Sequence, residues 1–503
     1  SSIVRLPYAE GREFISIATI MMEDKGLLGL NDKVRKYFPK LPAWSDPVTI
    51  KDLLNHSSGF VDEWAVLLLT QASMNNRFDQ SQFLNLLYNQ PKPEIEPGKG
   101  YMYCNSDFGL LRLILENVSN ENLSTWMQKN MFDPYGMKDT RLHDNKYEAI
   151  PNFAPFYYPI GRGKYNQWTI DKTSPGGNYH IATSLRDLEK WAAINRDKSS
   201  VPSKAINRLK QGAQLMPGIG KNYVFGIKEK ELGDYNIIYH QGVNGHPYLS
   251  ELPSKNLAVI MLGNQYANYP LFHQKIYEAL LGIKSTKLAM KTFTPAPVKY
   301  TSAELKAFTG RYFDSEDTIT YESFVKDRKN LLRVIVHNDS LKLDIGSGPF
   351  IPLIMYSPNV FKDPDYEAYL EFILPARKGE PVHMHTYVSQ TNKVYYHIQD
   401  TSTLWTPSQK ELAGFEGKYY SRHLDFYWTL MLNEDGKLVV KRPTIEDKQL
   451  YPETKDVFTL MVDKYPDDAF EVFVAFHRDT NGKITHFTVT DPRLKGHRFD
   501  RID

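Results

Sequence analysis

The chain carries a single cysteine, Cys104, in 503 residues. That excludes an intrachain disulfide and any cysteine-built zinc site. A lone thiol beside Tyr103 is a formal nucleophile, but no histidine stands in a recognisable cysteine-hydrolase context, so Cys104 reads as a small packing residue. No run of 18 or more apolar residues occurs, which excludes a transmembrane helix. No signal-peptide pattern is read either. The sequence opens at Ser1 without an initiator methionine, as a mature product, a trimmed chain or an incomplete reading frame would. Neither sign of charge dominates: 61 basic residues face 59 acidic ones, a net +2. Bulk electrostatics therefore gives no reason to expect a nucleic acid or an anionic membrane as partner.

What is present suits packed domains. Hydrophobic residues make up 41% and charged residues 24%, enough apolar content for cores at a length that suggests two to four domains. The 32 Tyr and 26 Phe fit aromatic-rich strands. Apolar periodicity predicts a helix over 14–27 that ends at Gly26, and mostly helical structure over 108–130. Thr49 to Gly59 reads as a short N-capped helix, and 184–196 as a helix capped by Ser184. From Tyr223 the pattern turns to strands, at 223–227, 235–239 and 257–262, with a helix at 270–282. Pro295-Ala296-Pro297-Val298 reads as a linker. Beyond residue 300 the chain repeats itself. Glu304-Leu305 to Phe313 matches Glu411-Leu412 to Tyr420 at an offset of 107 (417 − 310), and later pairs match at 97 (438 − 341). Each copy alternates apolar and polar residues in short strands, the signature of a small antiparallel barrel or sandwich. His383 and His385 share one strand face, but no third ligand stands near them in sequence, so no metal site is expected.

Several segments carry chemistry. Glu96-Pro97-Gly98 turns into Tyr101-Met102-Tyr103-Cys104-Asn105, which opens an apolar helix. Upstream lies Thr49-Ile50 through Leu53-Leu54-Asn55-His56-Ser57-Ser58-Gly59. Downstream lie Phe132 to Thr140, Gly176-Gly177 with Ala182 to Leu188, and His240-Gln241-Gly242 with Gly245. In this order they resemble the motifs of the penicillin-recognising serine hydrolases: class C β-lactamases, D-stereospecific peptidases and related esterases. The resemblance covers about residues 4–290. It implies an α/β (α+β) domain with an antiparallel sheet flanked by helices over 1–292. The repeats then resemble the lipocalin-like barrels appended to D-aminopeptidase-type members, at 300–402 and 408–503.

In that family a helix-borne serine attacks an acyl carbon, and a lysine one turn later takes the proton. By resemblance Tyr103 is the proton shuttle, Asn105 a substrate or lysine contact, and His240 the residue that positions the carboxylate or the shuttle. Gln241 and Gly242 belong to the substrate-binding and oxyanion region. The resemblance implies a small peptide or ester substrate, with neither metal nor organic cofactor, and export to the periplasm or beyond.

The nucleophile motif is where the resemblance fails. No Ser-x-x-Lys precedes Tyr103. The corresponding place holds Tyr8-Ala9-Glu10-Gly11-Arg12, with spacing one residue too long. Ala9 offers no nucleophile, and Arg12 is no base because its pKa stays above about 12. Tyr8 has no evident activator. Ser16 lies too far along and would need Thr19 as its partner. The family's two strands and helix before the nucleophile also have no counterpart, which would leave the sheet of 223–262 with an unpaired edge. Two expectations stay open. One is a hydrolase acting through an acyl-serine, with an incomplete or locally frame-shifted N-terminus. The other is an inactive member that binds peptidoglycan-like or D-amino-acid peptides.

Overall fold

The computed structural model describes residues 3–6, 8–70, 79–143, 150–161, 164–168, 180–213, 223–224, 227–232, 234–241, 248–264, 269–283, 293–314, 331–337, 339–344, 351–363, 368–375, 382–388, 391–397, 405, 407–441, 447–465, 468–491 and 493–503. Two compact units divide the chain: residues 1–67 with 72–283, and residues 284–503 with 68–71. No helix among the described residues is long and apolar enough to cross a membrane.

Through residue 283 the elements are β1 (Ile3–Leu6), α1 (Tyr8–Asp24), α2 (Val34–Tyr37), α3 (Ile50–Leu54), α4 (Glu63–Thr70), α5 (Gln80–Tyr88), α6 (Asn105–Ser119), α7 (Leu123–Met127), β2 (Arg141–His143), β3 (Phe153–Ala154), β4 (Phe156–Gly161), β5 (Lys164–Trp168), β6 (His180–Thr183), α8 (Leu185–Arg196), α9 (Val201–Ala213), β7 (Tyr223–Val224), β8 (Ile227–Leu232), β9 (Tyr235–Gln241), β10 (Tyr248–Leu252), β11 (Leu257–Met261) and α10 (Tyr269–Leu281). An antiparallel sheet runs β11-β10-β9-β8-β7, and a second runs β2-β6-β1-β3. Among the described residues β11 has β10 as its one strand neighbour, and all five of its residues are half-buried.

Helix α1 sits at the centre of this unit. Residues 11–22 are buried all round, not on one stripe, which marks a helix enclosed by the core. It packs against α6, α9, β6 and β9. Its polar residues must therefore find partners inside. Thr19 donates to the Ile15 carbonyl at 2.8 Å, so it does not serve Ser16. Ser16 Oγ is wholly buried with no hydrogen-bond partner among the described residues.

The helix begins at Tyr8, earlier than periodicity indicates, because its first turn carries polar residues that the pattern does not count. Conversely, α3 stops at Leu54, short of Gly59. Thr49 caps it in a reciprocal box with Asp52, and Asn55 ends it. Ser184 caps α8 by accepting from the Asp187 N–H.

The second unit holds two β modules. The first consists of β12 (Gly310–Asp314), β13 (Leu331–His337), β14 (Ser340–Asp344), β15 (Ile351–Pro352), β16 (Ile354–Ser357), β17 (Val360–Asp363), β18 (Ala368–Ile373), β19 (His383–Val388) and β20 (Thr391–His397). Their order is β15-β14-β13-β12-β20-β19-β18-β17-β16. The two end strands are consecutive in the chain and separated only by Leu353, so the sheet curls until its ends meet covalently. The second module consists of β21 (Gly417–Ser421), β22 (Phe426–Leu432), β23 (Leu438–Lys441), β24 (Lys448–Thr454), β25 (Val457–Tyr465), β26 (Asp468–Arg478), β27 (Ile484–Asp491) and β28 (Leu494–Arg501), an eight-stranded closed barrel. Rings fill its interior: Trp428, Phe487 and Phe499 stack, and Phe415, Phe458 and Phe476 meet edge to face.

The sequence repeat is also a structural repeat. Thr301 with Glu304, and Ser408 with Glu411, form the same capping box before a short helix. The buried Tyr312 and Tyr419 each donate a hydroxyl hydrogen bond four residues back, to Phe308 at 2.8 Å and Phe415 at 3.0 Å. Residues 351–357 of the first module stand 97 residues (448 − 351) before β24.

Candidate active site

The site is built where α6 begins against α1. Two turns bring the α6 entry into place. Gly98 (φ 76°) donates its N–H to the Ser57 carbonyl at 2.8 Å, and Met102 donates to the His56 carbonyl at 2.9 Å. Gly59 (φ 82°) allows the close passage of 93–95, since a Cβ there would stand 2.5 Å from the Ile95 carbonyl oxygen.

Asn105, the first residue of α6, is buried. Its Oδ1 accepts from Arg12 Nη2 at 2.7 Å, and its Nδ2 donates to Asp62 at 3.0 and 3.2 Å. Asp62 is held in turn by the Trp64 and Ala65 N–H groups. The Arg12 guanidinium lies between two rings, its carbon 4.6 Å from the Tyr103 centroid and 4.5 Å from that of Phe108. Its Nη1 donates to His56 Nε2 at 2.9 Å. His56 Nδ1 stands 3.0 Å from Asp107 Oδ2, and Ser58 Oγ donates to the other Asp107 oxygen. The His56 ring lies 4.8 Å from that of Tyr103. Arg12, His56, Ser58, Asp62, Asn105 and Asp107 are all buried, while Tyr103 is half-buried.

The electrostatics follow from that burial. Desolvation pushes the Asp107 carboxyl well above its ordinary range, opposed by the Ser58 hydrogen bond and the Arg12 charge. The Cys104 thiol is likewise pushed up, by burial first and then by Asp107 and Asp62. Its Sγ faces the carbonyls of Phe60 (3.4 Å) and Val61 (3.6 Å). A buried thiol kept protonated is a packing residue and no nucleophile. Among the described residues no group of three or more His, Cys, Asp or Glu side chains is placed to hold a metal ion.

Of the residues singled out in the sequence, the structure brings Arg12, Tyr103 and Asn105 together. Tyr8 and Ala9 lie in the first turn of α1, with Ala9 three residues before Arg12 and so on its face; their side chains fall outside what is described. His240 and Gln241 end β9, where they pair with Leu249 and Tyr248, and their side chains are not described either. Gly242 lies outside the described residues, as do Gly176, Gly177 and Gly245. Sequence reasoning did not single out Asp62 or Asp107, and it named His56 only as part of the Thr49–Gly59 segment. The one local signal was a histidine just past the end of α3, where glycine is usual.

The beta-lactamase family profile matches residues 14–282, more than half of the chain. The chain belongs to the beta-lactamase family. The match begins two residues after Arg12, so it takes in α6 and leaves out the first turn of α1. Among curated relatives of this beta-lactamase-family chain, the D-aminopeptidase of Brucella ovis is 23% identical over 468 residues, 90% of this chain and 81% of that protein. Penicillin-binding protein 4* of Bacillus subtilis is 32% identical over 149 residues, 29% of this chain and 32% of that protein. Among solved structures, the octameric penicillin-binding protein homologue from Pyrococcus abyssi aligns with a TM-score of 0.49 at 18% identity, over 78% of this chain and 88% of that one.

Proposed function

We propose that this chain is a D-aminopeptidase-like member of its family that binds peptide or amide ligands at the Tyr103 site without forming an acyl-enzyme. The D-aminopeptidase relative supports the ligand class, because the similarity covers 90% of this chain and is not confined to the first domain. The observation that carries the second half is the buried Arg12. Acyl transfer in this family needs an oxygen nucleophile and, one turn later on the same helix face, a group that accepts its proton. At those two places stand the methyl group of Ala9 and a guanidinium that keeps its proton at any pH below about 12. The guanidinium is also committed, with Nη2 on Asn105 and Nη1 on His56. Tyr103 then has no nucleophile to serve. Its half-buried ring is left as a contact surface backed by a fixed cation.

One observation favours a hydrolytic reading: Tyr103 and Asn105 are retained at the head of α6 with Asn105 fully hydrogen-bonded. That reading needs a serine and a lysine that this sequence does not supply at positions 9 and 12.

The test is calorimetric titration of the full chain with a short peptide ending in D-Ala-D-Ala and with its all-L counterpart, followed by chromatography of the peptide. The expected result is saturable binding of the D-peptide, recovered uncut. Cleavage of the peptide, or no binding of either form, overturns the proposal.

A further inference from the structure

We infer that His56 is the positioning residue of this site: a neutral imidazole with its proton on Nδ1, whose Nε2 fixes the Arg12 guanidinium beneath Tyr103. The inference begins with the backbone. His56 has φ 56°, in the left-handed region, just past the Asn55 that ends α3. Glycine fills such a position without steric cost, whereas any residue with a Cβ, histidine included, pays one. A strained, wholly buried histidine kept at a helix end points to a task for the side chain.

Both ring nitrogens are in use, and their partners decide the protonation state. Arginine has donors only, so the nitrogen 2.9 Å from Arg12 Nη1 must be the acceptor. A proton on Nε2 would set two N–H donors face to face. The single imidazole proton is then on Nδ1, where it donates to Asp107 Oδ2 at 3.0 Å. The Cys104 N–H is aimed at the same Nδ1 at 3.3 Å, a longer contact than the one to Asp107 Oδ2 and the one that competes with it for that nitrogen. Asp107 is anchored at its other oxygen by Ser58. Arg12 therefore donates to His56 and His56 to Asp107, while Ser58 donates to Asp107 from the other side, so the chain converges on that carboxyl group.

The consequence reaches the ligand-facing side. Hydrogen bonds from Nη1 to His56 and from Nη2 to Asn105 fix the plane of the guanidinium. The Tyr103 ring, 4.6 Å from the guanidinium carbon, is held against it. The proposal rests on the reading that Arg12 fills the place of the family's base. Its test involves no ligand, so it can fail while the binding proposal stands, and the reverse.

Two-bond proton–nitrogen correlation on the full chain labelled with 15N-histidine reads the tautomer directly. The His56 signal is assigned by its loss in His56→Asn, or, if that variant fails to fold, by its movement in Arg12→Met. The expected result at neutral pH is a neutral ring protonated on Nδ1, the tautomer opposite to that favoured by histidine free in water. A ring protonated on Nε2, or on both nitrogens, overturns the proposal. Melting temperatures of the two single variants and the double variant give a second readout. If His56 acts through Arg12, His56→Asn lowers Tm far less in the Arg12→Met background than in the native chain. Equal shifts in both backgrounds would make His56 a merely structural residue.

Discussion

Helices α1 and α6 meet at the same buried hydrogen-bond cluster, yet they differ in what they have kept. On the proposed reading, the head of α6 carries Tyr103 and Asn105 in the family's spacing, whereas the first turn of α1 carries Ala9 and Arg12 in the places of serine and lysine. The difference teaches that a catalytic position and a structural position can be one residue. Asn105 Oδ1 is buried and needs a hydrogen-bond donor, which the side chain at position 12 supplies whether or not it transfers protons. Arginine meets that demand with donors to spare, and the surplus is taken up by His56. On that reading α1 carries no acyl-transfer chemistry yet holds its place at the centre of the core.

Substitutions separate the two helices, and the largest effect falls on the altered one. Arg12→Ala leaves Asn105 and His56 facing a buried void, and chemical denaturation of the first unit should show a loss of about 3–5 kcal/mol. A loss below about 1 kcal/mol would show that position 12 is expendable. Asn105→Ala, on the retained helix, strands Arg12 Nη2 and one side of Asp62 and should cost about 1–3 kcal/mol; an unchanged midpoint would mean that the two helices are held together by apolar contact alone.

Asp107 sharpens the comparison through pH. Its carboxyl is raised in the folded state, so between about pH 4 and that raised value the folded chain binds more protons than the unfolded one. Stability contributed there is present in acid and falls as pH rises through the window. Asp107→Asn should flatten that fall in urea midpoints measured from acid to neutral pH, and a slope identical to that of the native chain would refute the burial argument.

The smallest effect is outside the site. Tyr312→Phe and Tyr419→Phe each remove one buried hydroxyl bond and should cost about 1 kcal/mol, with ligand binding at Tyr103 unaltered. A change in binding would tie the modules to the site.

Local patterns in the sequence gave away the pieces that depend on neighbours along the chain. The Thr49 and Ser184 caps, the α6 entry at Asn105 and the Phe308/Phe415 repeat all rest on residues within a few positions of each other. The cluster at Arg12 was not legible, because its bonds join residues 44 and 93 apart in the chain. Read alone, Arg12 is only a failed lysine; its fit with His56 appears once α1, α3 and α6 are packed. Strand β10 was not read from the sequence. The β modules show the same limit. Their shared helix, glycine and tyrosine were visible as text, but the closure of one barrel and the interruption of the other at Leu353 depend on pairing between distant strands.

The most direct test of the account is the intact mass of the full chain after incubation with a β-lactam, taken beside a sample saturated with the D-Ala-D-Ala peptide. With Ala9 and Arg12 at the nucleophile turn, the chain should bind the peptide and gain no mass from the β-lactam. A covalent adduct of the opened β-lactam on this polypeptide would contradict the claim that the site binds without acylation.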